Sequence, residues 1–260
     1  MTELYYFALS FFVYGFLGWC TEVAYAAAKQ GKFVNREFLN GPICPVYGIG
    51  VGVVVQFLTP VENNLVLLYI SSTILVTVIE GITGFLLEKI FHNKWWDYSE
   101  QPLNIGGYVC VLFSLIWGVF CVLIVKIIHP LIYKVLTMIP LVLGIVVMAC
   151  LAVGLLADLY VTASGILKMN RRLEAMEKIA AELKELSDKV GENIYENVME
   201  GMEFREEKKA RIEELKAKYE EMAENRTKVG ERLVKAFPKM QVGQHKEIFE
   251  ELRERIKRSK

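Results

Sequence analysis

Long apolar runs alternate with short polar segments through the first two thirds of the chain. The runs occupy residues 5–28, 46–58, 65–91, 108–128 and a part of 131–167. A helix needs about 20 apolar residues to cross a bilayer, and all the runs except the second reach that length. The pattern predicts an all-α fold: a polytopic transmembrane helix bundle of about five spans in a lipid bilayer.

The first run has an alternative interpretation as a secretory signal peptide, because Ala24-Tyr25-Ala26 resembles a cleavage site. A signal peptide begins with a positively charged region, whereas residues 1–4 contain no Lys or Arg. The run also contains Glu22. We therefore interpret it as an uncleaved helix.

The connection between the first two runs contains Pro42 and Pro45, which interrupt a regular helix. Irregular backbone at membrane depth occurs only where protein or water covers it. Two interpretations remain open. Residues 41–48 form a re-entrant segment, or they form an ordinary loop before a short helix.

Charges are sparse up to residue 167, but from residue 168 onward almost every second residue is charged. This contrast predicts a transmembrane domain, residues 1–167, followed by a charged helical tail, residues 168–260. Apolar positions in the tail have heptad-like spacing, which is typical of coiled-coil or self-packing helices, so homo-oligomerisation through the tail is one expectation. Gly191, Gly201 and Pro238 are predicted to divide the tail into two long helices and a short last one. Because the two signs are mixed, nucleic acid is not an expected partner.

Lys and Arg in short loops indicate the orientation of the bundle. They occur after the first and third runs and at the start of the tail, and are absent after the second run. This distribution predicts an outside N-terminus and a cytoplasmic tail in a cell membrane, although Lys126 and Lys134 fit this orientation poorly. In this orientation Glu22, Glu88, Asp158 and residues 29–44 and 95–107 lie at the cytoplasmic side. Glu80 lies about two helical turns deeper.

Acidic side chains at membrane depth are the first candidate functional residues, because a charge there needs a partner, water or a proton. Glu80 and Glu88 share one face of the third helix with Thr73, Thr77 and glycines. They are predicted to bind a cationic substrate or to carry a proton. The alternative role for both is an interhelical hydrogen bond that fixes packing.

The remaining candidates for substrate or ion binding lie nearer the cytoplasmic side. Glu22 and Asp158 are carboxylates that solvent or a basic side chain could also satisfy. Arg36 is expected either to bind an anionic group or to pair with one of these carboxylates. The other three candidates are polar loop residues: Asn40, Asp97 and Asn104. Side-chain to backbone hydrogen bonds within the loops are the alternative role for Asp97 and Asn104.

Catalytic and cofactor chemistry have no clear pattern in this sequence. The five cysteines form no C-x-x-C pair and the three histidines are far apart, so we expect no metal site and no cofactor. No nucleophile–base pair stands out, so the chain is not expected to be an enzyme. It lacks G-x-x-x-x-G-K-[ST] and therefore has no P-loop for ATP.

Five motifs occur in order within residues 5–165 and together carry a resemblance to a known family. They are Asn-Arg-Glu-Phe-Leu-Asn-Gly-Pro-Ile-Cys-Pro-Val-Tyr-Gly at 35–48, Glu-Gly-Ile-Thr-Gly-Phe-Leu-Leu-Glu-Lys at 80–89, Trp-Trp-Asp-Tyr-Ser at 95–99, Pro-Leu-Asn-Ile-Gly-Gly at 102–107 and His-Pro at 129–130.

This region resembles the ABC-transporter permease family of bacteria that is also called type IV or CmpB-like. The resemblance implies a multi-pass transport component, a permease subunit that works with a separate ATPase subunit. The family usually has Gly where this chain has Glu37. The charged tail lies outside the resemblance.

Three other functions remain open at this point. One is a proton-coupled carrier that uses Glu80 and Glu88, although no inverted repeat is evident. Another is a non-transporting membrane scaffold that recruits partners through its helical tail. The third is a membrane enzyme that acts on lipid head groups.

Overall fold

The computed structural model describes residues 2–196, 202–243 and 245–258. These residues are mostly helical, which confirms the predicted all-α fold. They form two compact units: Met1–Ala163 with Arg232–Gln241, and Ser164–Glu231 with Val242–Lys260. The helices are α1 (Thr2–Gln30), α2 (Pro45–Leu58), α3 (Leu65–Phe91), α4 (Val111–Leu123), α5 (His129–Thr137), α6 (Leu141–Glu196), α7 (Met202–Glu224), α8 (Lys228–Ala236) and α9 (Lys246–Arg258).

Among the residues that the structure describes, four helical stretches are long and apolar enough to cross a membrane. They are Glu3–Gln30, Leu65–Phe91, Val111–Thr137 and Leu141–Val190, and Pro45–Val61 is a shorter apolar helix. Large apolar side chains such as Ile74 and Val142 are exposed on these helices. Such a surface suits lipid contact, so the chain is a polytopic membrane protein.

Helices α1 and α2 pack closely and run in opposite directions. Gly48 lies against Phe11, Gly52 lies against Phe7, and Tyr47 lies against Gly18 of α1. Small residues allow two helix backbones to approach closely in a membrane. Gly48 and Gly52, four residues apart on one face of α2, therefore form a packing surface for α1.

The connection before α2 enters the bundle beside α1. The Cys44 N–H donates to the Gly15 carbonyl at 2.8 Å, and Ile43 lies against Gly15. Gly15 lies about 22 Å before the end of α1 at Gln30, at about 1.5 Å per residue. We call residues 31–44 the re-entrant loop, because this contact brings its end beside the middle of α1. The re-entrant segment predicted for residues 41–48 stays a prediction, and residues 45–48 belong to α2.

The helix of the fourth apolar run, residues 108–128, does not end at the His129-Pro130 pair. A π-helical turn, Ile124–Ile128, connects α4 to α5, and the helical stretch continues to Thr137. Pro130 lacks a backbone N–H and would disrupt a regular α-helix. The π turn changes the hydrogen-bond pattern just before the proline, as such single turns can do within helices.

The connection between α3 and α4 contains three short strands: β1 (Asn93–Lys94), β2 (Asn104–Ile105) and β3 (Val109–Cys110). β2 and β3 pair antiparallel, with Asn104 opposite Cys110. Gly106 and Gly107 form the turn with φ of 60° and 74°, a conformation that favours glycine. β1 pairs with β4 (Gln241–Val242), whose first residue belongs to the same unit.

The second unit contains the C-terminal part of α6, then α7 and α9. Phe249, Leu252 and Ile256 form a buried stripe of α9, as expected for the predicted short last helix. The predicted break at Gly191 is wrong, because α6 continues through it to Glu196. The predicted break at Gly201 lies outside the described residues.

The single long helix predicted between Gly201 and Pro238 is also wrong. It is interrupted at residues 225–227, between α7 and α8. The predicted break at Pro238 is confirmed, because α8 ends at Ala236. The proposed domains, residues 1–167 and 168–260, remain a prediction. In the structure a short part of that tail, Arg232–Gln241, belongs to the first unit.

Candidate functional site

The re-entrant loop is organised by the side chain of Asn35. Its Oδ1 accepts hydrogen bonds from the Glu37 N–H at 3.1 Å and from Trp19 Nε1 at 3.2 Å. Its Nδ2 donates to the carbonyls of Leu39 and Asn40, at 3.2 and 2.9 Å. A single amide therefore satisfies three backbone groups of a segment that has no regular hydrogen-bond ladder, and it also bonds to Trp19 of α1.

Asp158 of α6 holds the next part of this loop. Its Oδ2 accepts from the Gly41 N–H at 2.6 Å, and its Oδ1 accepts from the Asn40 N–H and from Asn40 Nδ2, at 3.1 and 2.8 Å. Asn40 Nδ2 also donates to Thr162, which is fully buried. The structure thus brings together two candidates, Asn40 and Asp158, in a loop-holding arrangement.

Glu22 is the centre of a second group of polar side chains. Its carboxylate lies 3.8 Å from the Arg36 guanidinium and accepts a hydrogen bond from the Tyr47 hydroxyl at 3.1 Å. The Arg36 guanidinium also lies over the Tyr25 ring, 5.4 Å from its centroid. The Nε of Arg36 is buried without a hydrogen-bond partner in the part of the chain that the structure describes.

Glu37 is a buried carboxyl that was not among the candidate residues. Its residue is only 6% exposed. Burial raises the pKa of Glu37 to about 7, against the opposing hydrogen bond from the Cys44 thiol. Burial and the Glu37 carboxylate both raise the pKa of Cys44. The only feature of the sequence that singled out Glu37 was that the family usually has Gly at this position.

Glu80 has a tyrosine partner from the connection between α3 and α4. The Tyr98 hydroxyl donates to Glu80 Oε1 at 3.3 Å, and Glu80 Oε2 is buried with no hydrogen-bond partner among the described residues. Burial raises the pKa of Tyr98, and the charges of Glu80 and Glu22 raise it further. Tyr98 is therefore within electrostatic reach of both carboxylates.

Glu88 does not share the partner of Glu80. Its carboxylate accepts the hydrogen bond of the Tyr108 hydroxyl. The two glutamates are about 12 Å apart along α3, at about 1.5 Å per residue. The structure therefore separates these two candidates, which occupy one helix face but different environments.

Asp97 and Asn104 belong to a hydrogen-bonded loop. Asp97 lies 3.0 Å from Lys94 Nζ and accepts from Ser99. Burial alone would raise the pKa of Asp97, but the hydrogen bonds from Ser99 and Lys94 hold it at about 2. Asn104 Nδ2 donates to the Gln101 carbonyl at 2.8 Å, and its Oδ1 accepts from the Gly107 N–H. Both side chains thus make hydrogen bonds within the loop, which was the predicted alternative to substrate binding.

Arg232 is a second polar residue that the sequence did not indicate. Its guanidinium donates to Asn40 Oδ1 at 2.9 Å and to the carbonyls of Glu37 and Phe38, both at 2.7 Å. Burial lowers the pKa of Arg232, while the charges of Asp158 and Glu37 oppose that change. It belongs to the first unit although it lies far along the tail.

The candidate site consists of two groups of polar side chains. One lies in α1, the re-entrant loop and α2, and the other joins α3 to the connection that follows it. We call the two groups together the interior polar cluster: Glu22, Arg36, Glu37, Tyr47, Glu80 and Tyr98. Its carboxyl groups outnumber its single guanidinium, so its chemistry suits a cation or a proton better than an anion. Within residues 2–196, 202–243 and 245–258, no group of three or more His, Cys, Asp or Glu is arranged to hold a metal ion.

Comparison with known proteins gives one match. Residues 9–163, more than half of the chain, match the family described as "Putative ABC-transporter type IV". No curated protein and no solved structure matches the chain significantly. The matched region contains all six residues of the interior polar cluster. It also contains the re-entrant loop, α3, and α1 from residue 9 onward.

Proposed function

Because the chain belongs to the ABC-transporter type IV family, we propose that it is the permease-type component of a membrane transporter. In this proposal the interior polar cluster binds the transported species or a coupled cation. The cluster opens toward the side of the membrane where the re-entrant loop begins.

The observation that carries this proposal is the unused bonding capacity of the cluster. Glu80 Oε2 and Arg36 Nε are buried and unpartnered within the described ranges. A buried polar group without a partner costs about 1–3 kcal/mol. Side chains that only fix packing would be expected to satisfy each other, so these two atoms support a binding role.

The energy source follows from what the sequence lacks. The chain has no P-loop motif, so the ATP-hydrolysing subunit of the proposed transporter is a separate protein. We assign no covalent chemistry to this chain. The distribution of Lys and Arg supports an outside N-terminus and a tail in the cytoplasm, with the protein in the cell membrane.

The proposed topology has five crossings. The second crossing is the short apolar helix Pro45–Val61. Self-association through the tail is part of the proposal as well, because the tail keeps heptad-like apolar spacing in α6 and α7.

A proton-coupled carrier is the second candidate function. It is favoured by one observation: the described contacts of Glu80 are with the neutral Tyr98 hydroxyl and include no basic group. A carboxyl in such surroundings can take up and release a proton. The two functions differ in their energy source, which an inhibitor experiment separates.

The transport experiment compares cells that lack the chain with cells that regain it. Untargeted mass spectrometry of cell contents identifies solutes whose level depends on the chain, and labelled solute then gives a transport rate. Glu80→Gln and Glu22→Gln are expected to lower that rate at least about tenfold. Glu3→Gln, an exposed carboxyl at the start of α1, is the matched control and should transport normally.

Inhibitors then identify the energy source. Vanadate, which blocks ABC ATPases, should abolish transport, and a protonophore should not. The reverse result would favour the proton-coupled carrier. Normal transport by both Glu80→Gln and Glu22→Gln would contradict a role for the interior polar cluster in transport.

A further inference from the structure

A short part of the tail is built into the first unit. Residues Arg232–Gln241, which we call the strap, cluster with Met1–Ala163. Leu233, Ala236 and Met240 of the strap are fully buried. A solvated tail would not bury such a series of side chains, so the strap has a structural role in this unit.

Arg232 connects the strap to the re-entrant loop through three hydrogen bonds. Its three nitrogens donate to Asn40 Oδ1, the Glu37 carbonyl and the Phe38 carbonyl, at 2.9, 2.7 and 2.7 Å. A planar guanidinium presents its donors in a fixed arrangement, which Lys cannot reproduce. The three acceptors belong to consecutive parts of one irregular segment, so a single side chain fixes its shape.

An aromatic contact connects the same two segments a second time. The Trp95 ring lies edge-on to Phe38 of the loop at 5.3 Å and to Phe237 of the strap at 5.1 Å. At the end of the strap, Gln241 Nε2 donates to Asp97 Oδ2 at 3.1 Å. The strap therefore contacts both connections that border the interior polar cluster.

Asp158 holds the loop through different atoms. It accepts the N–H groups of Asn40 and Gly41, whereas Arg232 binds carbonyl and amide oxygens. The donors and acceptors of this irregular backbone are thus satisfied by two opposite charges. Removing either charge leaves several polar groups without partners, which favours an open conformation of the loop.

We propose that the strap holds the re-entrant loop closed over the interior polar cluster, and that Arg232 is the positioning residue of this contact. Release of Arg232 lets the loop leave its place beside α1. Both ends of the strap continue along the chain into the second unit. This inference does not depend on the identity of the transported species.

Cys44 is a natural reporter of this opening. It is 5% exposed, and its N–H bonds to Gly15 when the loop is closed. A full-length chain that keeps Cys44 and has alanine at the other four cysteines can be labelled with a water-soluble maleimide in mild detergent. The measurement is the rate of Cys44 modification at constant pH.

Arg232→Ala is expected to raise this rate at least about tenfold, because the loop loses three charge-assisted hydrogen bonds. Arg232→Lys keeps the charge but not the three-donor geometry, so it should give an intermediate rate. Lys235→Ala, at an exposed position of the same helix α8, is the matched control and should leave the rate unchanged.

A second reporter separates loop opening from unfolding. A chain that keeps only Cys110, which is 1% exposed in the same unit, should remain protected in the Arg232→Ala background. If Cys110 also reacts in the Arg232→Ala chain, the Cys44 rate is measured in Arg232→Lys and Gln241→Ala instead. Cys110 must stay protected in those two variants as well. A Cys44 rate within twofold of the unchanged chain, with Cys110 protected, would overturn the proposal.

Discussion

Glu37→Gln is expected to stabilise the folded chain at pH 8 and to change its stability much less at pH 5. Glu37 is buried in the re-entrant loop, where burial raises its pKa from 4.5 to about 7. The ionised form is therefore the costly form in the folded state. Glutamine has nearly the same shape and can still accept the hydrogen bond of the Cys44 thiol, but it never ionises.

The size of the effect follows from the change in pKa. Each pKa unit corresponds to about 1.4 kcal/mol, so ionised Glu37 lowers the free energy of unfolding by about 3 kcal/mol. Between pH 4.5 and pH 7 the folded state binds more protons than the unfolded state, so stability falls as the pH rises through this interval. The variant should gain about 3 kcal/mol at pH 8 and less than about 1 kcal/mol at pH 5.

Thermal unfolding of the purified chain in detergent at several pH values tests this prediction. The quantity to compare is the difference in Tm between Glu37→Gln and the unchanged chain, since other groups titrate in both. This difference should grow from pH 5 to pH 8, and Glu3→Gln should show no such trend. A difference that is independent of pH, or a variant less stable at pH 8, would refute the reasoning about Glu37.

The remaining predictions concern the contacts that hold the re-entrant loop and α2 in place. Asp158→Ala removes the acceptor of two backbone N–H groups and should destabilise the chain by about 1–3 kcal/mol. Asp188→Ala, at an exposed position, is the control. Equal Tm values for the two variants would contradict the role of Asp158 in holding the loop. Gly18→Ala would place a Cβ against the Tyr47 ring and should cost about 1–3 kcal/mol. Gly154→Ala meets nothing within 4 Å among the described residues, so it should be neutral or stabilise by up to about 1 kcal/mol. A Tm loss for Gly154→Ala as large as that for Gly18→Ala would exclude close packing as the cause.

Individual helices were predictable where their ends carry local signals. The predicted run 65–91 matches α3 because Asn64 caps its start, accepting from the Leu67 N–H at 3.1 Å, and His92 ends it with φ of 56°. At His129-Pro130 the local signal was misleading, because a π turn accommodates the proline. In the tail, apolar spacing continued across the true interruption at residues 225–227.

The candidate site was only partly predictable for a different reason. Glu22, Glu80 and Asp158 were found because a carboxyl in an apolar run is conspicuous. Their partners come from distant segments, as when Asn40 donates to Asp158, 118 residues away. Asn40 in turn accepts from Arg232, 192 residues away. No periodicity or motif encodes such a contact, and Arg232 lies in a tail where charged residues are common.

The central claim is that this chain is the membrane component of an ABC-type transporter. Its most direct test is affinity purification of the tagged full-length protein in mild detergent. Mass spectrometry then identifies the proteins that purify with it. The account predicts one protein with a G-x-x-x-x-G-K-[ST] motif at a fixed ratio to the chain, and ATP hydrolysis by the purified complex. A chain that purifies alone or only with itself, without ATP hydrolysis, would contradict the claim.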